Sequence, residues 1–247
     1  MKIIGITGLM GSGKGTVADY LIDDHGFKKM SFADALKDAV AVMFGWPRHM
    51  LEGDTDESRA WREQVDEFWS ERLERPGFTP RLALQLMGTE AGRQVFGNDI
   101  WVAGIEQRIL GEKEYYDTWH REQSQGMPDT PPRGIVIPDV RFFNEIQMIK
   151  RLGGTMVRVE RGDRPEYWDA AGFLNCVHND LAQKDPESSE EEDKLFDEHY
   201  DKALEMVKDI HASEREWIMV DQPDHVIFNN FDLERLKWSA DQLAEMD

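Results

Sequence analysis

The sequence predicts an α/β protein in which a central five-stranded parallel sheet is flanked by helices. Three observations carry this expectation. Apolar runs of strand length alternate with segments of helical periodicity along most of the chain. The run GIVIPDVRF at 134–142 is apolar almost throughout, as in a strand buried on both faces. A glycine-rich turn at 8–15 joins the first apolar run to the first amphipathic segment.

KIIGIT (2–7) is the first strand, and after the glycine turn Val17, Leu21 and Ile22 share a helical face that Gly26 closes. FKKMSFAD (27–34) reads as the second strand, with Phe27, Met30 and Phe32 as its apolar residues. Leu36, Val40 and Met43 then repeat at helical spacing until GWP stops them. A polar loop over 48–58 leads to a helix striped by Trp61, Val65, Trp69 and Leu73, broken by PG at 76–77. Thr79 as N-cap and Pro80 at the first helical position open a helix through RLALQLMGTEAGRQVF, and another runs from Asp99 through Ile109. Residues 111–133 are polar and end in PDTPP, which predicts a loop with room for a helical extension. The third strand (134–142) precedes the helix NEIQMIKRLGG. TMVRVERG (155–162) alternates as the fourth strand, HVIFNN (225–230) is the fifth, and a last helix carries Leu233, Leu236, Ala240 and Leu243.

At 247 residues the chain suffices for one sizeable α/β domain with insertions, or for two small ones. Its 49 acids against 29 bases give a formal charge of −20, which argues against adhesion to nucleic acid polymers or anionic membranes. A phosphorylated ligand would be repelled at long range, so any phosphate site must be built locally from backbone N–H groups and a few cations. No apolar run approaches the ~20 residues of a membrane span, no secretory leader is visible, and the single cysteine, Cys176, cannot form an internal disulfide. A cytoplasmic protein is the simple expectation. Between 185 and 201 stand nine acids and one lysine, which read as a solvated insertion or exposed helix; their irregular spacing does not suit a metal site.

The glycine turn carries the chemistry. Gly-x-x-x-x-Gly-Lys is complete from Gly8 to Lys14, between a strand and a helix, where successive N–H groups and the helix N-terminus favour an anion. Gly11, Ser12, Gly13, Lys14, Gly15 and Thr16 are therefore the expected phosphate cradle, with Lys14 reaching the β- and γ-phosphates. Gly15 stands where the common signature has Ser or Thr, and Thr16 supplies a hydroxyl one residue later for the phosphates or the Mg²⁺ shell. Together these features predict a P-loop NTPase fold. GSGKGT resembles the loop of adenylate-kinase-like nucleotide and nucleoside kinases.

A more specific resemblance covers most of the chain. SFADALKDAV, LEGDTDESRAWRE, TPRLALQLMGTEAGR, DIWV, IVIPDVRFFNEIQMIKRLGG, VRVERG, HASE and HVIFNN, in this order, resemble the deoxynucleoside monophosphate kinases of tailed bacteriophages. The acidic stretch at 163–201 lies outside it, and FNNF lacks the family's usual glycine after the asparagine. The resemblance implies one kinase domain over 1–247, a mainly helical acceptor-binding insertion at 45–133 and an acidic insertion near the lid at 163–210. It implies ATP as donor, Mg²⁺, a deoxynucleoside monophosphate as acceptor, and an enzyme that is often a homodimer. It sets Asp139 and Arg141 beside the phosphate loop, Lys37, Arg59 and Arg81 at the acceptor phosphate, and Gln85, Gly88, Thr89 and Trp101 at the base. Arg161, with Arg158 as the weaker candidate, is implied for a lid, and Asn229 for the adenine.

The residues themselves leave some roles open. Asp139 ends a buried run, where a carboxylate needs a cation or donors: Mg²⁺-bound water, Arg141, or a structural cap or ion pair. Trp101 could equally be core, and Asn229 a turn former. No chemical duty follows for His211, Ser213 and Glu214. Phosphoryl transfer to a phosphate needs no general base, and no Ser-His-Asp set is visible. The competing readings are another small-molecule kinase, such as a dephospho-coenzyme A or sugar kinase, and a nucleotide-binding regulator; IPDVRF lacks the glycine pattern of a switch protein.

Overall fold

The computed structural model describes residues 1–122, 130–179, 189–218 and 223–246. The chain forms two compact units, one of Met1–Lys29 with Tyr115–Asp247 and the other of Met30–Glu114. In chain order, β1 (Lys2–Thr7), α1 (Lys14–Asp23) and β2 (Phe27–Lys29) are followed by α2 (Asp34–Phe44). Helices α3 (Asp56–Arg62), α4 (Glu67–Arg72), α5 (Pro80–Leu86), α6 (Gln94–Phe96) and α7 (Ile100–Arg121) fill the middle. Next come β3 (Gly134–Ile137), α8 (Phe143–Arg151), β4 (Thr155–Glu160) and α9 (Trp168–His178). α10 (Glu190–Val207), α11 (Ala212–Arg215), β5 (His225–Phe228) and α12 (Leu233–Glu245) complete the chain.

All five strands are parallel, in the order β2-β3-β1-β4-β5. With the glycine loop leaving the central strand, this is the expected P-loop NTPase fold. Ile4, Ile6, Val136, Val157, Val159 and Ile227 of the sheet bury against Val17 and Leu21 of α1 and Leu236 and Leu243 of α12. β1 and β3 read as apolar because they are covered in the middle of the sheet, whereas edge strand β2 buries only Phe27.

Several elements are shorter or longer than their sequence pattern. β2 stops at Lys29, after three residues paired to β3 at the sheet edge. Met30–Ala33 then turns into α2, with the Asp34 carboxylate accepting from Ser31 N at 2.9 Å. β3 ends at Ile137, and the remainder of the apolar run is a turn. The expected loop after Ile109 is helical as far as Arg121; residues 123–129 of it lie outside the described residues.

In the second unit the expected Trp61–Leu73 helix is two helices. Asp66 splits it: one carboxylate oxygen caps α4 by accepting from Trp69 N at 3.0 Å, and the other accepts from Trp46 Nε1 at 2.8 Å. Trp61 and Trp69 do face the core around Val40, Trp46, Leu51 and Phe78, whereas Val65 and Leu73 are exposed. The expected polar loop at 48–58 holds a short 3₁₀ turn and the Thr55-capped start of α3. Past α5 the helix loosens into a π-helical stretch, Met87–Arg93.

The acidic run is helical from Glu190, with its N-terminal part outside the described residues. Glu191, Glu192, Asp197, Glu198 and Asp201 are exposed, while Phe196 and His199 pack on Phe173 of α9 and Tyr200 meets His178 at 2.9 Å. Among the described residues no cluster of acids, histidines or cysteines could hold a metal, and no helix is long and apolar enough to cross a membrane.

Candidate active site

β1 delivers the chain to the loop at 8–13. Gly13 ends it at φ 102°, a conformation in which a side chain is strained, and a Cβ there would fall 2.4 Å from the Asn229 amide nitrogen. α1 then starts at Lys14 with no side-chain cap and no acid in its first turn. Its leading N–H groups are left for an anion. Lys14 Nζ donates to the carbonyls of Gly8 (2.6 Å) and Leu9 (2.8 Å). Burial, and then the positive charge of Arg141, lower its pKa to about 8, with Glu214 opposing them. The Ser12 hydroxyl is buried with no hydrogen-bond partner among the described residues. Thr16 is exposed on the first helical turn.

The chain after β3 returns to this loop because β3 pairs with β1, Gly5 opposite Ile137. Asp139 lies in the turn, and Arg141 follows it. Glu145, 3 % exposed, accepts from the backbone N–H of Arg141 (2.7 Å) and Phe142 (3.1 Å), which fixes the start of α8 and the direction from which Arg141 departs. Sequence reasoning assigned Glu145 no role, although NE at a helix start is a capping signal. The Arg141 guanidinium donates to Ser213 Oγ at 3.4 Å and lies 3.6 Å from the Glu214 carboxylate. The HASE segment, which had no assigned duty, is therefore the wall against which Arg141 rests. Asn175 of α9 ties that wall down, donating to the carbonyls of Arg215 (2.7 Å) and Ile218 (2.8 Å).

Of the two lid candidates, Arg158 is committed: it pairs with Glu160 at 2.6 Å and lies over the Trp168 ring. Arg161 is exposed and lines a cleft with Leu9, Arg164, Trp168 and Trp217. Asn229 is engaged with the loop itself, its Nδ2 donating to Ser12 O at 2.9 Å and its backbone N–H to Glu160 O at 2.7 Å.

The helical unit holds the residues expected at the acceptor. Lys37 donates to Glu52 at 2.6 Å, and Glu52 also receives Arg48. Arg59 pairs with Asp56 (2.7 Å) and donates to the carbonyls of Gly53 (3.1 Å) and Asp54 (2.8 Å). Arg81 pairs with Glu63 at 2.9 Å. Gln85 and Thr89 are exposed, and Gly88 O accepts from Trp101 Nε1 at 2.9 Å. The Trp101 ring also lies against Gly92, where a Cβ would fall 2.5 Å away.

The Glu52 carboxyl is pushed up by burial, but the bonds and charges of Lys37 and Arg48 outweigh this and hold its pKa below 4.5. A depressed carboxyl pKa contributes stability that is present above the unfolded-state value and lost as pH falls through the folded one. Glu52→Gln is thus expected to lower stability by about 1 kcal/mol at pH 7, a figure discounted for partial exposure. Chemical denaturation should find that difference shrinking below pH 4.5; a difference that persists at low pH would sink the ion-pair account.

No family model matches the sequence. A mimivirus protein (Acanthamoeba polyphaga mimivirus) named "Putative deoxynucleotide monophosphate kinase" is 36 % identical over 161 residues, 65 % of this chain and 75 % of that one. The chain belongs to the deoxynucleotide monophosphate kinase family. The expected likeness to bacteriophage enzymes is thus met at the level of the family, through a mimivirus relative. Two solved structures also align with the kinase: a Thermus thermophilus protein, TT1252 (20 % identity, TM-score 0.36, 100 % of this chain and 98 % of that one), and a shikimate kinase from Bacteroides thetaiotaomicron (15 %, TM-score 0.31, 99 % and 97 %). At those scores neither adds to what the strand order establishes.

The kinase has a donor set that fits a nucleoside triphosphate. The helix N-terminus has no side-chain cap and the buried Ser12 hydroxyl no partner among the described residues, while the Lys14 ammonium rests on two loop carbonyls beside them. A Mg²⁺ ion keeps several waters and takes phosphate oxygens, so it asks for few protein oxygens, and the Thr16 hydroxyl and the Asp139 carboxylate are oxygens of the kind it takes. In the helical unit the kinase has one cation that the sequence did not single out, Arg62.

Proposed function

We propose that the protein transfers the γ-phosphoryl group of ATP to the 5′-phosphate of a deoxynucleoside monophosphate, releasing ADP and the diphosphate. The observation that carries this reading is Lys14, held in a glycine loop at an uncapped helix N-terminus, in a chain of the deoxynucleotide monophosphate kinase family. On binding, Lys14 exchanges the Gly8 and Leu9 carbonyls for phosphate oxygens. Loop N–H groups from Gly11 to Thr16 and the Ser12 hydroxyl hold the chain of phosphates, and Asn229 keeps the loop shaped for them. Thr16 and Asp139 would hold a Mg²⁺ ion, which would supply positive charge to offset that of the transferring group.

The acceptor is already an ionised phosphate, so the protein's task is alignment and charge offset. Arg141, steered by Glu145 and the HASE wall, and Arg161, from the lid, face the charge that spreads over the γ-phosphoryl oxygens. Lys37, Arg59 and Arg81 receive the acceptor phosphate, and Gln85, Gly88, Thr89 and Trp101 form the base pocket. ADP release with a panel of deoxy- and ribonucleoside monophosphates tests the reading. Turnover of at least one deoxynucleotide is expected; activity on a coenzyme A precursor with none on any nucleotide would overturn it.

A further inference from the structure

Arg62 ends α3, and its guanidinium rests on Gly53. That glycine has φ 69°, and a Cβ on it would fall 1.9 Å from Arg62 Nη2, so the backbone is shaped to admit the fork. The side chain is half-buried, and its Nε is enclosed with no hydrogen-bond partner among the described residues. Arg59 and Arg81 hold Asp56 and Glu63, whereas Arg62 forms no ion pair among the described residues. Burial, and then the positive charge of Arg81, push its pKa down; Arg59 adds to this, while Glu63 and Glu52 act in the opposite sense without prevailing.

A guanidinium that is partly desolvated, flanked by like charges and without an acceptor is unfavourable for the fold alone. An anion would reverse each of those terms. We infer that Arg62 is the anchoring cation of a phosphomonoester-binding site in the helical unit, with Arg59 and Arg81 on its flanks. The inference rests on the monophosphate-acceptor reading above and adds a residue to it. Planar N–H forks match tetrahedral phosphate oxygens. Three cations suit a group of charge about −1.5 to −2 at pH 7 better than a carboxylate or a diester of charge about −1. Sequence reading chose Arg59 and Arg81 from the same neighbourhood, but these two are already paired.

The experiment has two arms. Inorganic phosphate is titrated into a Lys14→Met chain, whose phosphate loop is disabled, with and without Arg62→Gln. Separately, the acceptor KM, kcat and ATP affinity are measured for wild type, Arg62→Gln and Arg62→Lys. The expected results are loss of phosphate binding with Arg62→Gln, a tenfold or larger rise in acceptor KM, unchanged ATP affinity, partial rescue by Arg62→Lys and no loss of thermal stability. Unchanged phosphate binding and unchanged acceptor KM in a wild type that phosphorylates deoxynucleotides would overturn the inference and leave the kinase reading intact. Phosphate binding that depends on Arg62, in a wild type that phosphorylates no nucleotide, would uphold the anion site and overturn the reading of its substrate. A drop in stability with acceptor KM unmoved would show a structural arginine and overturn the inference.

Discussion

Lys14→Met is expected to abolish turnover while leaving the protein folded and somewhat more stable. A hundredfold loss corresponds to about 2.7 kcal/mol of transition-state stabilisation, a modest demand on a lysine facing two phosphates. The stability gain follows from sign. The folded pKa of Lys14, about 8, lies below its ordinary 10.5, so the charged amine opposes folding at neutral pH, and removing it should return on the order of 1 to 3 kcal/mol. For the same reason wild-type stability should rise between pH 8 and 10.5, where the unfolded chain binds more protons. ATP affinity should move the other way, weakening up to about tenfold per pH unit above 8 as the empty site loses its ammonium. Equilibrium titration at pH 7 and 9, with Lys14→Met as the flat control, reads this. Retained turnover in the variant, or an ATP affinity indifferent to pH, would remove Lys14 from the phosphate site.

Arg81→Ala is expected to raise the acceptor KM or lower kcat by tenfold or more with ATP binding unchanged. A charge-assisted contact to phosphate contributes about 1.5 to 3 kcal/mol, enough for that effect. Its partnership with Glu63 is exposed on both sides, 55 % and 57 %, and such pairs contribute about 0 to 1 kcal/mol, so stability should hardly change. Arg81→Lys should also impair turnover, because a fork becomes a point charge. Steady-state kinetics in each substrate, with a separate ATP titration, distinguish the outcomes. If Arg81→Ala weakens ATP binding and spares the acceptor parameters, Arg81 belongs to the donor and the assignment fails.

The phosphate loop was legible in the sequence because its determinants are local: glycine spacing, a lysine, a strand before and a helix after. β1 and β3 were legible for a related reason, since each is buried along almost its whole length and reads as apolar, and β4 was legible from its alternation. Element ends were not. β2 is cut short by its position at the sheet edge, and the Trp61–Leu73 stripe is cut by the Asp66 carboxylate, which finds a helix N-terminus and an indole N–H that no periodicity announces. α9 escaped notice because Ala170, Ala171, Gly172, Leu174 and Asn175 are buried in near succession, leaving no polar face to set a period. The HASE wall and the setting of Arg62 depend on segments that meet only in three dimensions. Arg62 itself stood within a recognised motif, but only the enclosure of its Nε and the lack of an ion pair among the described residues separate it from Arg59, three residues earlier, which holds Asp56.

The π-helical stretch Met87–Arg93 has a consequence for chain length. Gln94 N donates to the Thr89 carbonyl five residues back, so the helix carries one residue more than α-helical winding accommodates. Such a stretch is equivalent to a single-codon insertion absorbed without breaking the helix. Deleting one residue, Glu90 for instance, would let α-helical winding run through and leave the face of the helix beyond it unchanged. This wall of the helical unit therefore has slack for the loss of one residue, whereas one residue more, with no second wide turn to take it up, would rotate everything beyond it by about 100°.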